Sequence, residues 1–261
     1  MSSEKPLAKP PLRIRRATPA DVDKITNVMF EAYASGVISN LIFPGGASAS
    51  ARATFAKKIF SSTAGPSIEA ILMVAERLPQ DEHEGHETEI VGFARWVLVK
   101  EPLPKEKWDI PFQPLASEEL GEGSNIEVHN YRESGLHELK KKWIKGEPCL
   151  HLGILACSPH HQRIGAGSAL VEWGTSFADR EGMTTWLESS PAGYRLYRRF
   201  GFEDVDVYDN NITELWGPVR KQHENWGHTS AVAGELPEGC YRTVIMRRFP
   251  QIIRYAPVYG P

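Results

Sequence analysis

The sequence predicts a single mixed α/β domain. Short runs of strand length, apolar or alternating, recur along the chain, and segments of helical spacing separate them. No internal repeat or low-complexity stretch divides it. At 261 residues the chain is long enough for a substantial core. Its hydrophobic fraction of 41% and charged fraction of 24% are those of an ordinary globular protein. A net charge of -3 offers no basic face for nucleic acid. No run approaches the roughly 18 apolar residues of a membrane span, so no membrane association is expected. Cys149, Cys157 and Cys240 are an odd set without metal spacing, and no charged-then-apolar leader precedes them; this reads as a reducing, cytoplasmic protein.

Residues 1–11, polar and proline-rich, read as a loose tail. The domain runs from 12 to 249, followed by a second tail at 250–261. Leu12 to Ala17 alternates as a strand. Thr18, Pro19 and Asp21 supply an N-cap, a proline at the first helical position and a first-turn acid for a helix with Ile25, Val28, Met29 and Ala32 on one face. Residues 37–46 are apolar with turn chemistry and no clear period, so a loop is expected, either packed on the core or walling an acceptor pocket. A helix follows over about 50–61. Ile68 to Arg77 and Glu89 to Val99 read as strands joined by a charged hairpin, where His83 and His86 stand among Glu82, Glu84 and Glu87. Such a tip is either a metal cluster or a solvated turn; the solvated reading is favoured and no metal is expected. A proline-rich connection over 101–114 leads to a charged helix over about 125–145, expected to flank the core with its charges exposed.

The most informative stretch is His151 to Ser168. Leu152 to Cys157 is an apolar run of strand length, and Ser158-Pro159 ends it. Gln162-Arg163-Ile164-Gly165-Ala166-Gly167 then opens a helix with Leu170, Trp173, Gly174, Phe177 and Ala178 at helical spacing, closed by Gly182. A helix start has backbone N–H groups without partners and the positive end of the macrodipole, so it suits a phosphate. The third glycine of a dinucleotide fingerprint is absent, since Leu170 stands there, and no P-loop pattern occurs. Thr184 to Ser190 is rich in strand formers, Tyr194 to Phe200 makes a short helix before Gly201, and Phe202 to Tyr208 and Tyr241 to Phe249 supply the last strands. Between them, residues 210–239 are polar and irregular, with Trp216, His223, Trp226 and His228; loops of that length are commonly functional or disordered.

Gln162 to Gly167, the strand from Thr184 to Ser190, and Tyr197-Arg198-Arg199-Phe200-Gly201-Phe202 fit in order the [QR]xxGx[GA], strand and YxxxGF elements of a known superfamily. Over about residues 149–203 the chain resembles the GCN5-related N-acetyltransferase (GNAT) superfamily. The resemblance implies the acyl-CoA N-acyltransferase fold: a central mixed, mostly antiparallel twisted sheet flanked by helices, here with an extra helical insertion (about 101–148) before the fourth strand. Short members lack so long an insertion. It also implies acetyl-CoA as co-substrate. Gln162, Arg163, Ile164, Gly165, Ala166, Gly167 and Ser168 would cradle its pyrophosphate. Leu155, Ala156 and Cys157 would line the pantetheine arm where the next strand splays away near Ser190 and Pro191.

An alkyl ammonium with a pKa of about 10.4 must lose a proton before it attacks, which at pH 7 is roughly 4.6 kcal/mol of the barrier. Two residues compete for that proton. His151 sits in the register where related enzymes carry a strand base, and an ordinary imidazole suits neutral pH. Period 2 places it on one face with Gly153, Leu155 and Cys157. Glu188 is the rival, if burial raises its pKa. Tyr197 of the YxxxGF element is the expected acid for the leaving thiolate, with Tyr194 as local competitor. Cys157 as a covalent nucleophile is disfavoured, since no activating partner is visible. The expected activity is acetyl transfer to the amine of a small molecule; a protein lysine or N-terminal acetyltransferase and a non-catalytic acyl-CoA-binding module are the alternatives. Monomer or homodimer is left open.

Overall fold

Alternation in Ile68–Arg77 sets the layer structure. Ile71, Met73 and Ala75 lie on one face and Leu72 and Val74 on the other, and all five are buried. A strand apolar on both faces must be covered on both. The computed structural model describes residues 10–61, 66–79 and 88–251. The hairpin tip carrying His83 and His86, and most of both tails, lie outside the described residues.

The strands are β1 (Leu12–Arg16), β2 (Ile68–Arg77), β3 (Glu89–Val99), β4 (Cys149–Cys157), β5 (Thr184–Ser189), β6 (Glu203–Asn211) and β7 (Cys240–Arg248). They form one sheet in the order β1-β2-β3-β4-β5-β7-β6. Every neighbouring pair is antiparallel except β4 and β5, which run parallel. This is the mixed, mostly antiparallel sheet the resemblance implies.

The helices are α1 (Val22–Tyr33), α2 (Val37–Ile42), α3 (Ala49–Ile59), α4 (Lys105–Trp108), α5 (Ile126–Trp143), α6 (Ala166–Glu181), α7 (Tyr194–Arg199) and α8 (Ile212–Trp216). On one face Leu170, Val171 and Ala178 of α6 and Tyr197 of α7 pack on Met73, Trp96, Leu152 and Leu187. On the other, Ile25, Val28 and Ile59 of α1 and α3 cover Leu72, Val74 and Phe93, and Leu136 of α5 covers Cys149 and Trp186. The start of α1 follows its sequence signals: the Asp21 carboxylate accepts from the Thr18 backbone N–H at 2.8 Å and is held by Arg15 at 2.8 Å.

Three expectations need correction. Residues 37–42 are helix α2 rather than loop, and the Ile42 carbonyl accepts the Asn125 N–H at 2.7 Å, so the segment braces the start of α5. The charged helix α5 is not merely an exposed flank, because Val128 and Leu136 are buried against the fold. The stretch 210–239 is neither open nor wholly irregular. Strand β6 extends to Asn211, α8 follows, and Arg242 is 1% exposed beneath the rest. Its guanidinium donates to both Asp209 carboxylate oxygens and to the carbonyls of His228, Gly234 and Glu235 at 2.7–3.1 Å. The period of a loop sequence is silent about such a clamp, because its acceptors are main-chain atoms.

The tightest approach of α6 to the sheet is at Gly174. A Cβ there would stand 2.1 Å from Cζ2 of Trp96, a side chain with no exposed surface and no room to turn. Gly174→Ala is therefore expected to destabilise the fold by about 1–3 kcal/mol through overpacking. A urea midpoint unchanged from wild type would contradict this packing.

Candidate active site

The site begins with a loss of backbone pairing. Strands β4 and β5 pair from Cys149 with Thr184 to Leu152 with Leu187, and no further. Beyond that point Gly153 to Cys157 remain paired only to β3, and Glu188 and Ser189 only to β7. A wedge therefore opens in the middle of the sheet.

A β-bulge lies at its apex. Arg95 and Trp96 of β3 are consecutive, yet they pair with Ile154 and Leu152, which leaves Gly153 as the extra residue. A bulge adds one residue and reverses the faces beyond it. Leu150 and Leu152 face α6, and so do Leu155 and Cys157, whereas Ile154 and Ala156 pack toward α1. His151 thus does not share a face with Leu155 and Cys157, as simple alternation predicts. It shares the α5 face with Cys149 and, on β5, with Trp186 and Glu188.

There the two competing bases meet. His151 Nε2 lies 2.9 Å from Glu188 Oε2 and 3.1 Å from Oε1, with side chains only 12% and 9% exposed. Lys140 Nζ of α5 stands 3.6 Å from the same carboxylate. Burial by itself would raise the Glu188 pKa, as expected from sequence. The charge of His151 and then of Lys140, with the hydrogen bond from His151, outweighs it and holds the carboxyl down at about 2. Glu188 is therefore an acceptor only, and Nε2 must carry the proton it receives. In the neutral ring the nitrogen left without a proton is then Nδ1, which lies about 4 Å from where a side chain of Gly153 would begin, beside the apex of the wedge.

Beyond the wedge, Ser158 ends β4, and its hydroxyl accepts the His160 N–H at 3.3 Å. The chain then makes one tight turn over Pro159–His161. Arg163 takes φ 65° and Gly165 φ 101°, both in the left-handed region, before α6 starts at Ala166. Left-handed residues in such a turn bring successive N–H groups to one concave side. The N–H groups from Arg163 to Ser168 have no hydrogen-bond partner among the described residues. Gln162 and Arg163 are exposed, and Ile164 packs on the core, which orients the turn. The helix therefore begins four residues later than the glycine-rich spacing suggests, and Gln162 to Gly165 form the lip before it.

Tyr197 on α7 is 7% exposed, its ring 5.9 Å from that of Phe202. Burial, then the nearby Tyr33, Cys157 and Glu188, push its pKa up, so its proton is held at any ordinary pH. Its hydroxyl makes no hydrogen bond among the described residues. Tyr194 differs, because its hydroxyl donates to Asp204 at 3.0 Å and its ring stacks on His228. His228 in turn donates to the Pro191 carbonyl at 2.9 Å, so the loop clamped by Arg242 also braces the chain leading into α7. The Ser190 carbonyl accepts from the N–H groups of Gly193 and Tyr194. Burial pushes the Cys157 thiol up to about 11, so it carries almost no thiolate.

Three side chains escaped the sequence reading. Tyr33, at the last turn of α1, donates from its hydroxyl to the Leu155 carbonyl at 3.0 Å, inside the unpaired part of β4. Lys140 and Arg132 of α5 reach toward the same opening, and the charge of Arg132 is felt at Tyr33, Glu188 and Tyr241. The spacing 128, 132, 136, 140 was the available signal, a row of one face with two apolar and two basic members. Among the described residues no group of three or more His, Cys, Asp or Glu could hold a metal, and no helix is long and apolar enough to cross a membrane.

Residues 80–202 match the model of the acetyltransferase (GNAT) family. Solved structures of the same fold include the Drosophila melanogaster polyamine N-acetyltransferase, which catalyses formation of N-acetylagmatine; it has a TM-score of 0.57 and 13% identity over 92% of this chain and 100% of that one. Arylalkylamine N-acetyltransferase 2 from Aedes aegypti matches with a TM-score of 0.53 and 13% identity, over 92% of this chain and 99% of that one. A histone acetyltransferase HPA2 and related acetyltransferase from Corynebacterium glutamicum matches with a TM-score of 0.51 and 20% identity, over 93% and 98%.

The depressed Glu188 pKa has a definite linkage sign. The carboxyl binds a proton more readily in the unfolded chain, near 4.5, than in the folded one, near 2. Its ionisation thus stabilises the fold above about pH 5, and that contribution is lost as pH falls toward 2. In Glu188→Gln this dependence is absent. The difference in unfolding free energy between wild type and variant, measured by urea titration, should shrink steadily between those limits; a constant difference would refute the assignment.

Proposed function

Since this chain carries a GNAT-family acetyltransferase domain, we propose that it transfers the acetyl group of acetyl-CoA to the amine of a small molecule by direct attack. The observation that carries this reading is the free Nδ1 of His151 at the apex of the β4/β5 wedge, with the partnerless N–H groups of Arg163 to Ser168 at the wedge's far end. Gln162, Arg163, Ile164, Gly165, Ala166, Gly167 and Ser168 cradle the pyrophosphate through backbone N–H groups and the helix dipole. The guanidinium of Arg163 adds charge. The pantetheine arm follows Leu155, Ala156 and Cys157, whose backbone lacks a neighbour on the β5 side, and ends near Ser190.

His151 Nδ1 takes the proton of the acceptor ammonium. Glu188 holds the ring by Nε2, fixes the tautomer and balances the imidazolium that forms, so it positions the base rather than acting as one. The freed amine nitrogen forms a bond to the thioester carbonyl carbon. As the tetrahedral centre collapses, the C–S bond breaks and its electron pair leaves on sulfur. The Tyr197 hydroxyl, protonated at ordinary pH, passes its proton to that thiolate. The nitrogen gives its second proton to water to leave the neutral amide, and water restores the tyrosine proton and takes the one held on His151. A Cys157 relay is disfavoured by its raised pKa.

A small acceptor is favoured over a protein segment because α5 and Tyr33 crowd the opening on the face where Nδ1 lies. That the insect enzymes of like fold act on polyamines and arylalkylamines by name is in keeping with it. The three free thiols suit a reducing, cytoplasmic setting.

Release of free CoA thiol with acetyl-CoA and a panel of amines and peptides tests the reading; turnover of peptides alone would overturn the small-molecule acceptor, and binding without turnover would overturn the enzyme. Tyr197→Phe should reduce kcat by about 100-fold or more while leaving acetyl-CoA affinity near wild type. His151→Gln should reduce kcat by about 100-fold or more, and turnover near wild type in this variant would assign the proton to water instead.

A further inference from the structure

We propose that the acceptor is an amine carrying a carboxylate, of amino-acid type, and that Arg132 on the sheet-facing row of α5 anchors that carboxylate beside His151. The proposal deepens the function above and rests on it for the position of the reacting amine.

The placement follows from helix geometry. Residues four apart share a face. Lys140 touches Glu188 and Leu136 packs on Cys149 and Trp186, so the row that contains Arg132 faces the sheet at the level of the wedge. Arg132 is two turns from Lys140 toward the start of α5, the end tied to α2 through Asn125 and Ile42. It therefore hangs between the His151–Glu188 pair and α1, where Tyr33 reaches Leu155.

Its hydrogen bonding is incomplete on one edge. Nη1 donates to Glu133 Oε1 at 2.5 Å. Nε is buried with no partner, and Nη2 makes no hydrogen bond among the described residues. Nε and Nη2 together form the planar fork that matches the two oxygens of a carboxylate. A buried guanidinium N–H left empty is unfavourable, and a ligand carboxylate removes that penalty.

The carboxylates nearby argue the same way. Glu188 is committed to His151 and Lys140, and Glu133 to Arg132. Neither is left over for the second cation of a polyamine. A zwitterionic amine meets no such conflict.

The test compares kcat/KM for zwitterionic amino acids with that for their carboxamides, alongside agmatine and 2-phenylethylamine. The acid-to-amide ratio in wild type should exceed that in Arg132→Gln by roughly 10- to 100-fold, expressed mainly in KM, as a charged two-pronged hydrogen bond allows. Comparing the ratio between proteins cancels the intrinsic difference in amine basicity. Arg132→Lys, which keeps the charge but loses the fork, should retain part of the preference, and it supplies the comparison if the glutamine variant fails to fold. An acid-to-amide ratio that is the same in variant and wild type, or a clear preference for agmatine or phenylethylamine, would overturn the proposal. If no acceptor is turned over, calorimetry of N-acetyl amino acids and their amides against the CoA-loaded protein still decides it. Carboxylate-dependent binding that Arg132→Gln abolishes would uphold the anchor while the catalytic reading falls; binding indifferent to the carboxylate would end it.

Discussion

Everything in the site depends on two parallel strands ceasing to pair. Parallel neighbours in the middle of a sheet ordinarily satisfy each other's backbone, and an unpaired run there would be costly. This protein places the break between Leu152 and Gly153 on one side and between Leu187 and Glu188 on the other. The bulge at Gly153 bends β4 at the same point and reverses the faces of everything after it. A residue before the bulge, His151, is thereby turned toward α5, while Leu155 and Cys157 turn toward α6. One extra residue separates the face that holds His151 from the face of Leu155 and Cys157.

The electrostatics around His151 follow from this turn. Had the alternation continued unbroken, Leu155 and Cys157 would share the face of His151, and two core-packing side chains would stand where Ile154 and Ala156 now meet α1. Instead His151 faces Glu188, and Lys140 closes the carboxylate from above. A buried carboxylate beside the Lys140 ammonium and an imidazole N–H stays ionised, and an ionised carboxylate dictates which nitrogen of the neutral imidazole carries the proton. The segment that supplies Lys140 is the helix inserted between β3 and β4. The insertion is thus not an appendage, since it covers the wedge on the side away from α6 and contributes charge to it.

The opposite side is braced by Arg242. Its five donors join Asp209 to three carbonyls of the 228–235 segment, and that segment reaches across through His228 to Pro191 and Tyr194. Ser230 and Tyr194 both donate to Asp204. The short helix carrying Tyr197 is therefore seated from both ends, by the core beneath its ring and by this network beside it. A six-residue helix has little stability of its own and takes its position from such contacts.

The sequence by itself determined the strands and long helices, the glycine-rich turn before α6 and the place of Tyr197 on α7, because each is written in local terms: alternation, helical spacing, a glycine-rich turn and a tyrosine at a set distance from Gly201-Phe202. That the sheet is mixed and mostly antiparallel was legible only through the resemblance. Tertiary structure alone decided three things. It set the face of His151, since a bulge depends on register with the next strand. It joined Glu188 to His151 and lowered its pKa, since a pKa depends on which groups lie within a few ångströms and those come from residues 37 and 48 positions away. It also brought Arg132, Lys140 and Tyr33 to the opening, since spacing shows which residues share one face of a helix but not what that face meets.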